Sequence, residues 1–162
     1  RLMVFLLLSA CAAAPLVPQG GPFRPAEAPI YSNAVLDVPR LAGEWQQVAG
    51  FGPVTDCGPG QATISRAGSG LRVAYRLCQG GVMVADAGAM VPAGPGRFAV
   101  PGQPGPWWVL WADADYRTLV IGTPSGDFGF ILNRGPFPSD RLVAAKEILD
   151  WNGYDLAKLT VY

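Results

Sequence analysis

The 162-residue chain contains no histidine. That removes the commonest general base and the commonest transition-metal ligand of proteins. Ser-His-Asp and Cys-His nucleophilic catalysis are excluded, and so is any histidine-containing zinc site. Charge is scarce and balanced, with 12 basic and 12 acidic residues and a formal net charge of zero. No basic stripe runs along the chain, which argues against a nucleic-acid surface. Only two Lys and three Glu are present, too few for an all-helical fold. Three cysteines occur without a C-x-x-C pair, so a thioredoxin-like redox role has no motif. Glycine and proline are plentiful instead, 21 and 16 residues, and half the chain is apolar. Such a composition suits many short strands joined by turns, in one domain long enough to bury a core.

Residues 1–10 place a charge before the apolar run Leu2-Met3-Val4-Phe5-Leu6-Leu7-Leu8 and then small residues. This is the pattern of an export signal, and the run is too short to span a bilayer. Leu8-Ser9-Ala10-Cys11 resembles the bacterial lipobox. That resemblance implies cleavage before Cys11, acylation of its sulfur with palmitate-type chains, and attachment to a membrane; a plain secretory leader with an incidental cysteine is the alternative. Ala12 in place of Asp, by resemblance to enterobacterial lipoproteins, implies the outer membrane, with the protein facing the periplasm. Residues 11–30, rich in Ala, Pro and Gly, read as the lipidated Cys followed by a flexible tether, with packed structure expected from about residue 31.

Beyond the tether the apolar residues alternate. Leu71, Val73, Tyr75 and Leu77 face one way and Arg72, Ala74, Arg76 and Cys78 the other, as in a half-buried strand. Ala62 and Ile64 share a face of the preceding strand, and Ala67-Gly68-Ser69-Gly70 reads as the hairpin turn between them. The densest apolar stretch spans 107–134. Trp107–Ala112 and Thr118–Gly122 are apolar on both faces, and Phe128, Phe130 and Leu132 line one face of a third strand. Two apolar faces require an interior on one side and a cover on the other, as in a barrel with a packed helix or a two-sheet sandwich. Eight short strands at hairpin spacing favour an up-and-down antiparallel barrel. After Gly135-Pro136-Phe137-Pro138, Ser139 is a suitable N-cap, and Leu142, Ala145, Ile148 and Leu149 recur at helical spacing, extended by Trp151. A helix over 139–152, stopped by Gly153, would cover the outer face, and Leu159–Tyr162 could add an edge strand.

Gly43-Glu44-Trp45, the turn Asp113-Ala114-Asp115-Tyr116 and Arg134 occur in the order of the three lipocalin motifs, and Trp108–Arg117 is similar to bacterial lipocalins of the outer-membrane lipoprotein type. The resemblance covers residues 31–162. It implies an all-β, eight-stranded calyx with one C-terminal helix, in which Trp45 plugs the closed end and Arg134 packs across its indole. Gly43, Trp45, Asp113, Asp115, Tyr116 and Arg134 are then structural residues. Asp113 and Asp115, which could otherwise do acid–base work or hold Ca²⁺, read as turn caps beside Arg117.

In an exported chain Cys57 and Cys78 are expected to form a disulfide, since they fall at the same end of two hairpin-paired strands; two free thiols are the alternative. Strand parity, with the lipocalin motifs as guide, turns Trp107, Val109 and Trp111 inward. With Val73, Tyr75, Phe128 and Phe130 they are the candidate lumen residues. Arg72 and Arg76 read as solvated surface, with the option that one reaches an anionic head group. The expected function is non-covalent binding, storage or transport of a small hydrophobic molecule, of fatty-acid or lysophospholipid type, with no cofactor, no metal and no catalysis. A filled structural barrel, or a lipid-modifying enzyme on the same fold, are the alternatives. Ligand head group and oligomeric state are not encoded in any motif.

Overall fold

Alternation of apolar and polar residues along the central strands closes the chain into a barrel. The computed structural model describes residues 22–162; the signal segment, Cys11 and the first half of the tether lie outside the described residues. A one-turn 3-10 segment, Val38–Leu41, leads into β1 (Gly43–Phe51), β2 (Gln61–Ala67), β3 (Gly70–Gln79), β4 (Val82–Pro92), β5 (Arg97–Ala99), β6 (Trp107–Ala112), β7 (Thr118–Gly122) and β8 (Gly129–Asn133). Each strand pairs antiparallel with the next, and β1 pairs with both β2 and β8, which shuts the sheet. Helix α1 (Ser139–Trp151) follows, and then β9 (Leu159–Val161), which pairs with Ala49–Phe51 of β1. Beyond a register shift at Gln47/Ala49, β1 leaves β2, and β9 takes up its freed edge.

Two apolar clusters result. The inner one fills the barrel from Trp45 and Leu41 at one end to Trp107, Phe128 and Phe130. The outer one, with Leu110, Val120 and Ile131 from the sheet, is covered by Ala145 and Leu149 of α1. The second apolar face of β6 and β7 therefore exists because α1 lies on it. Two local expectations change and one holds. Ser139 is the first helical residue, preceded by Pro138, and no side chain caps that end. Trp151 lies off the buried stripe at 76% exposed, since only Ala145 and Leu149 are fully covered. Gly153, at φ 81°, follows the Asn152 C-cap in the left-handed conformation that ends many helices.

The expected tether boundary also moves. Phe23 and Arg24 are each only 2% exposed. Phe23 stacks on Phe51 at 5.6 Å, and Phe51 on Tyr154 at 4.9 Å. Arg24 is buried without a carboxylate. Its guanidinium instead donates to carbonyls: Asn152 O at 2.9 Å, Pro29 O at 3.2 Å, and those of Pro124 and Ala28. A buried cation is tolerable when its donors are satisfied, and the C-terminal carbonyls of α1 carry the negative end of the helix dipole. The chain thus attaches to the barrel by residue 23.

Candidate functional site

The closed end is built from three distant stretches. Trp45 is fully buried and its indole N–H donates to Leu41 O at 2.9 Å. Arg134 lies over the indole, its guanidinium carbon 4.2 Å from the ring centroid. Its three nitrogens donate to Tyr116 O at 2.6 Å, Ala42 O at 2.8 Å and Arg40 O at 2.8 Å. This one side chain ties the 3-10 segment, the β6–β7 turn and β8 together. Gly43 is required for it: at φ 139°, a Cβ there would stand 2.5 Å from the Arg134 guanidinium. Asp113 accepts from the backbone N–H groups of Arg117 and Thr118 at 2.5 and 2.6 Å, which fixes the turn. Burial opposes the charge of its carboxylate, but those bonds and the Arg117 side chain outweigh it and hold the pKa below the ordinary value. Asp115 pairs with Arg117 at 2.7 Å on the surface. Tyr116, at φ 55°, accepts from Asp37 N–H at 2.6 Å and carries Arg40 over its ring.

Inside the barrel, Val73, Tyr75, Trp107, Val109, Phe128 and Phe130 converge, each between 0% and 5% exposed. Trp107 sits between Tyr75 (5.6 Å) and Phe130 (5.2 Å), and Phe130 stacks on Phe128 (5.9 Å). Trp111 does not join them. The β6–β7 ladder slips by one residue between Val109 and Trp111, so Leu110 and Trp111 both join the outer cluster and Ala112 returns inward. A strict alternation cannot register such a bulge. Phe98 and Met90, also buried in the lumen, went unassigned by sequence because β4 is mostly exposed and β5 has three residues.

At the opposite end, the mouth, the β5–β6 loop folds over the barrel. Gln103 donates to Tyr75 Oη at 2.9 Å and accepts from Trp107 Nε1 at 3.2 Å and Gln79 Nε2 at 3.1 Å. Tyr75 Oη donates to Pro101 O at 2.6 Å. One amide side chain thus joins Tyr75, Trp107 and Gln79 at the mouth. No sequence signal marks Gln103, which sits in a Gly/Pro loop. Nearby, Cys57 and Cys78 are joined in a disulfide. Gln47, buried beside it, accepts from Cys78 N and Gly60 N and donates to Cys78 O, which fastens the β1–β2 loop. Arg72 and Arg76 are exposed on the outer face of β3.

Two spaces remain. One, of about 740 Å³, lies outside the barrel between Phe23, the Gly52–Val54 loop and β9, and shares no residue with the lumen cluster. The other, of about 380 Å³, opens at the closed end beside Val38 and Pro39 and is floored by the lumen residues Leu71, Met90 and Phe98.

Residues 95–162 match the family model of the lipocalin-like domain. Three solved structures share the architecture over most of their length. The siderocalin Ex-FABP, described as functioning through dual ligand specificities, is 16% identical with a TM-score of 0.54, over 75% of this chain and 93% of that one. The cockroach major allergen Per a 4 is 11% identical with a TM-score of 0.61, over 85% and 94%. Insecticyanin from the tobacco hornworm Manduca sexta is 16% identical with a TM-score of 0.59, over 82% and 83%. The fold is that of a lipocalin. No curated protein sequence matches the chain. The matched segment begins just before β5 and holds β6–β8 and α1, so it carries two of the three lipocalin motifs, Asp113–Tyr116 and Arg134. Trp45 lies before it and is joined to it by the Arg134 contact.

Proposed function

We propose that the protein belongs to the lipocalins and binds a small hydrophobic molecule non-covalently inside its barrel. The observation that carries this reading is an interior lined by aliphatic and aromatic side chains, with Gln103 bridging Tyr75, Gln79 and Trp107 by hydrogen bonds at the mouth. Water can replace such bonds at small net cost, about 1 kcal/mol each, whereas a packed apolar plug would have to be extracted. The lumen favours an aliphatic or aromatic guest, since it presents few polar partners, and a fatty-acid or lysophospholipid tail fits that chemistry. The lipobox-like Leu8-Ser9-Ala10-Cys11 supports an exported protein anchored by acylated Cys11 at the bacterial outer membrane. From Cys11 the tether to Phe23 is about 40 Å at full reach, so such an anchor keeps the barrel near the bilayer.

A second reading, a filled structural barrel, is favoured by the near-zero exposure of Trp107, Val109 and Phe130. Titration of residues 20–162 with fatty acids and lysophospholipids, followed by tryptophan fluorescence, separates the two. Saturable change with one lipid class supports the binder, because Trp107 sits within the lumen. A folded protein that responds to no member of the panel supports the filled barrel.

A further inference from the structure

At the closed end, open space rests directly on residues of the lumen cluster. We propose that this crevice is the binding site of a single-chain amphiphile with an anionic head, its chain on Leu71, Met90 and Phe98 and its head at Arg66. The inference rests on the binding reading above for its ligand class and adds a second site, at the end of the barrel opposite the mouth.

Three observations carry it. At about 380 Å³ the space lies within the range of small-molecule sites, and its floor is apolar. Met90, unbranched and flexible, can adjust to a chain of varied shape. Among the described residues Arg66 is the one ionised side chain of the lining, which holds no carboxylate. Among the described residues Arg66 makes no salt bridge, so its guanidinium fork is available to a carboxylate or phosphate at the rim.

Calorimetric titration with decanoate and with decyltrimethylammonium, which share a chain and differ in head charge, tests this. The expected result is saturable binding of decanoate, favoured over the cation by about fivefold, the range of a solvent-exposed ion pair. Arg66→Glu abolishes that preference. Leu71→Asp weakens decanoate more than about tenfold by placing a carboxylate on the apolar floor where its chain lies. Gln103→Ala, at the mouth, leaves decanoate affinity unchanged. Decanoate that binds Leu71→Asp as tightly as wild type, or binds Gln103→Ala more tightly, sits in the lumen by way of the mouth; that overturns this inference and leaves the binding reading standing. Equal affinity for the two heads also overturns it. Absence of saturable binding by either probe to the wild type overturns the inference and counts against the binding reading too. Circular dichroism verifies that each variant is folded, and Arg66→Glu, at an exposed strand position, decides the matter if Leu71→Asp misfolds.

Discussion

Arg134→Met tests whether one side chain holds the closed end together. Methionine keeps an apolar stem over the Trp45 indole but removes three hydrogen bonds, to Tyr116 O, Ala42 O and Arg40 O, and the cation over the ring. Burial and the neighbouring Arg40 lower the Arg134 pKa, yet a guanidinium stays protonated throughout the working range. Each bond to a carbonyl contributes about 1 kcal/mol net in a half-exposed site. The cation–π contact adds about 1 kcal/mol. These terms share one side chain and are not fully additive, so the expected loss is about 3 kcal/mol. For a domain of this size that lowers Tm by about 9 °C. Urea unfolding followed by far-UV circular dichroism measures it, with an unchanged slope showing that the unfolded state is the same. Arg134→Lys keeps the charge without the fork, and is expected to recover about 1 kcal/mol of the loss. A change below about 0.5 kcal/mol for Arg134→Met, the range of an ordinary surface substitution, refutes the assignment of Arg134 as the clasp of three segments.

Other outcomes follow from the same geometry. Replacing Cys57 and Cys78 with serine opens a loop of 21 residues' separation, and is expected to cost about 3 kcal/mol in urea unfolding; equal stability of the reduced and oxidised wild type would contradict this. Asp113 has a folded pKa below its unfolded value, so its contribution is fully present above the ordinary carboxylate range and fades as pH falls through the folded pKa. Asp113→Asn should therefore be less stable than wild type at neutral pH and show a shallower loss of stability on acidification; parallel acid titrations of the two would refute it. Thr123 Oγ1 is buried with no hydrogen-bond partner among the described residues. Thr123→Val keeps the shape and removes the orphan hydroxyl, and thermal unfolding should show it stabilised by about 1 kcal/mol. Tyr154 Oη accepts from Thr123 N–H at 2.8 Å and donates to Phe128 O at 2.8 Å. Tyr154→Phe strands that buried N–H and is expected to cost about 2 kcal/mol by the same measurement.

Much of this molecule is written in short-range patterns. Period-two alternation in 71–77, the glycine turn at 67–70 and the helical spacing of Leu142, Ala145 and Leu149 are local, because backbone geometry sets side-chain direction within a few residues. The two-faced apolar character of 107–122 already implied an interior and a cover, whether a helix or a second sheet, and the resemblance of Gly43/Trp45, Asp113–Tyr116 and Arg134 to the lipocalin motifs implied the barrel that joins them. Only the tertiary structure decided the rest. Trp111 points outward because a bulge that depends on the β7 partner shifts its parity. Phe23 and Arg24, in a stretch whose composition reads as tether, are held because the C-terminus of α1 and the β7–β8 loop supply carbonyls that lie 100 or more residues away. Gln103 becomes the bridge at the mouth only when Tyr75, Gln79 and Trp107 are brought under it. Whether space lies in the lumen or at the closed end follows from how side chains from every strand fill one volume, which no local pattern records.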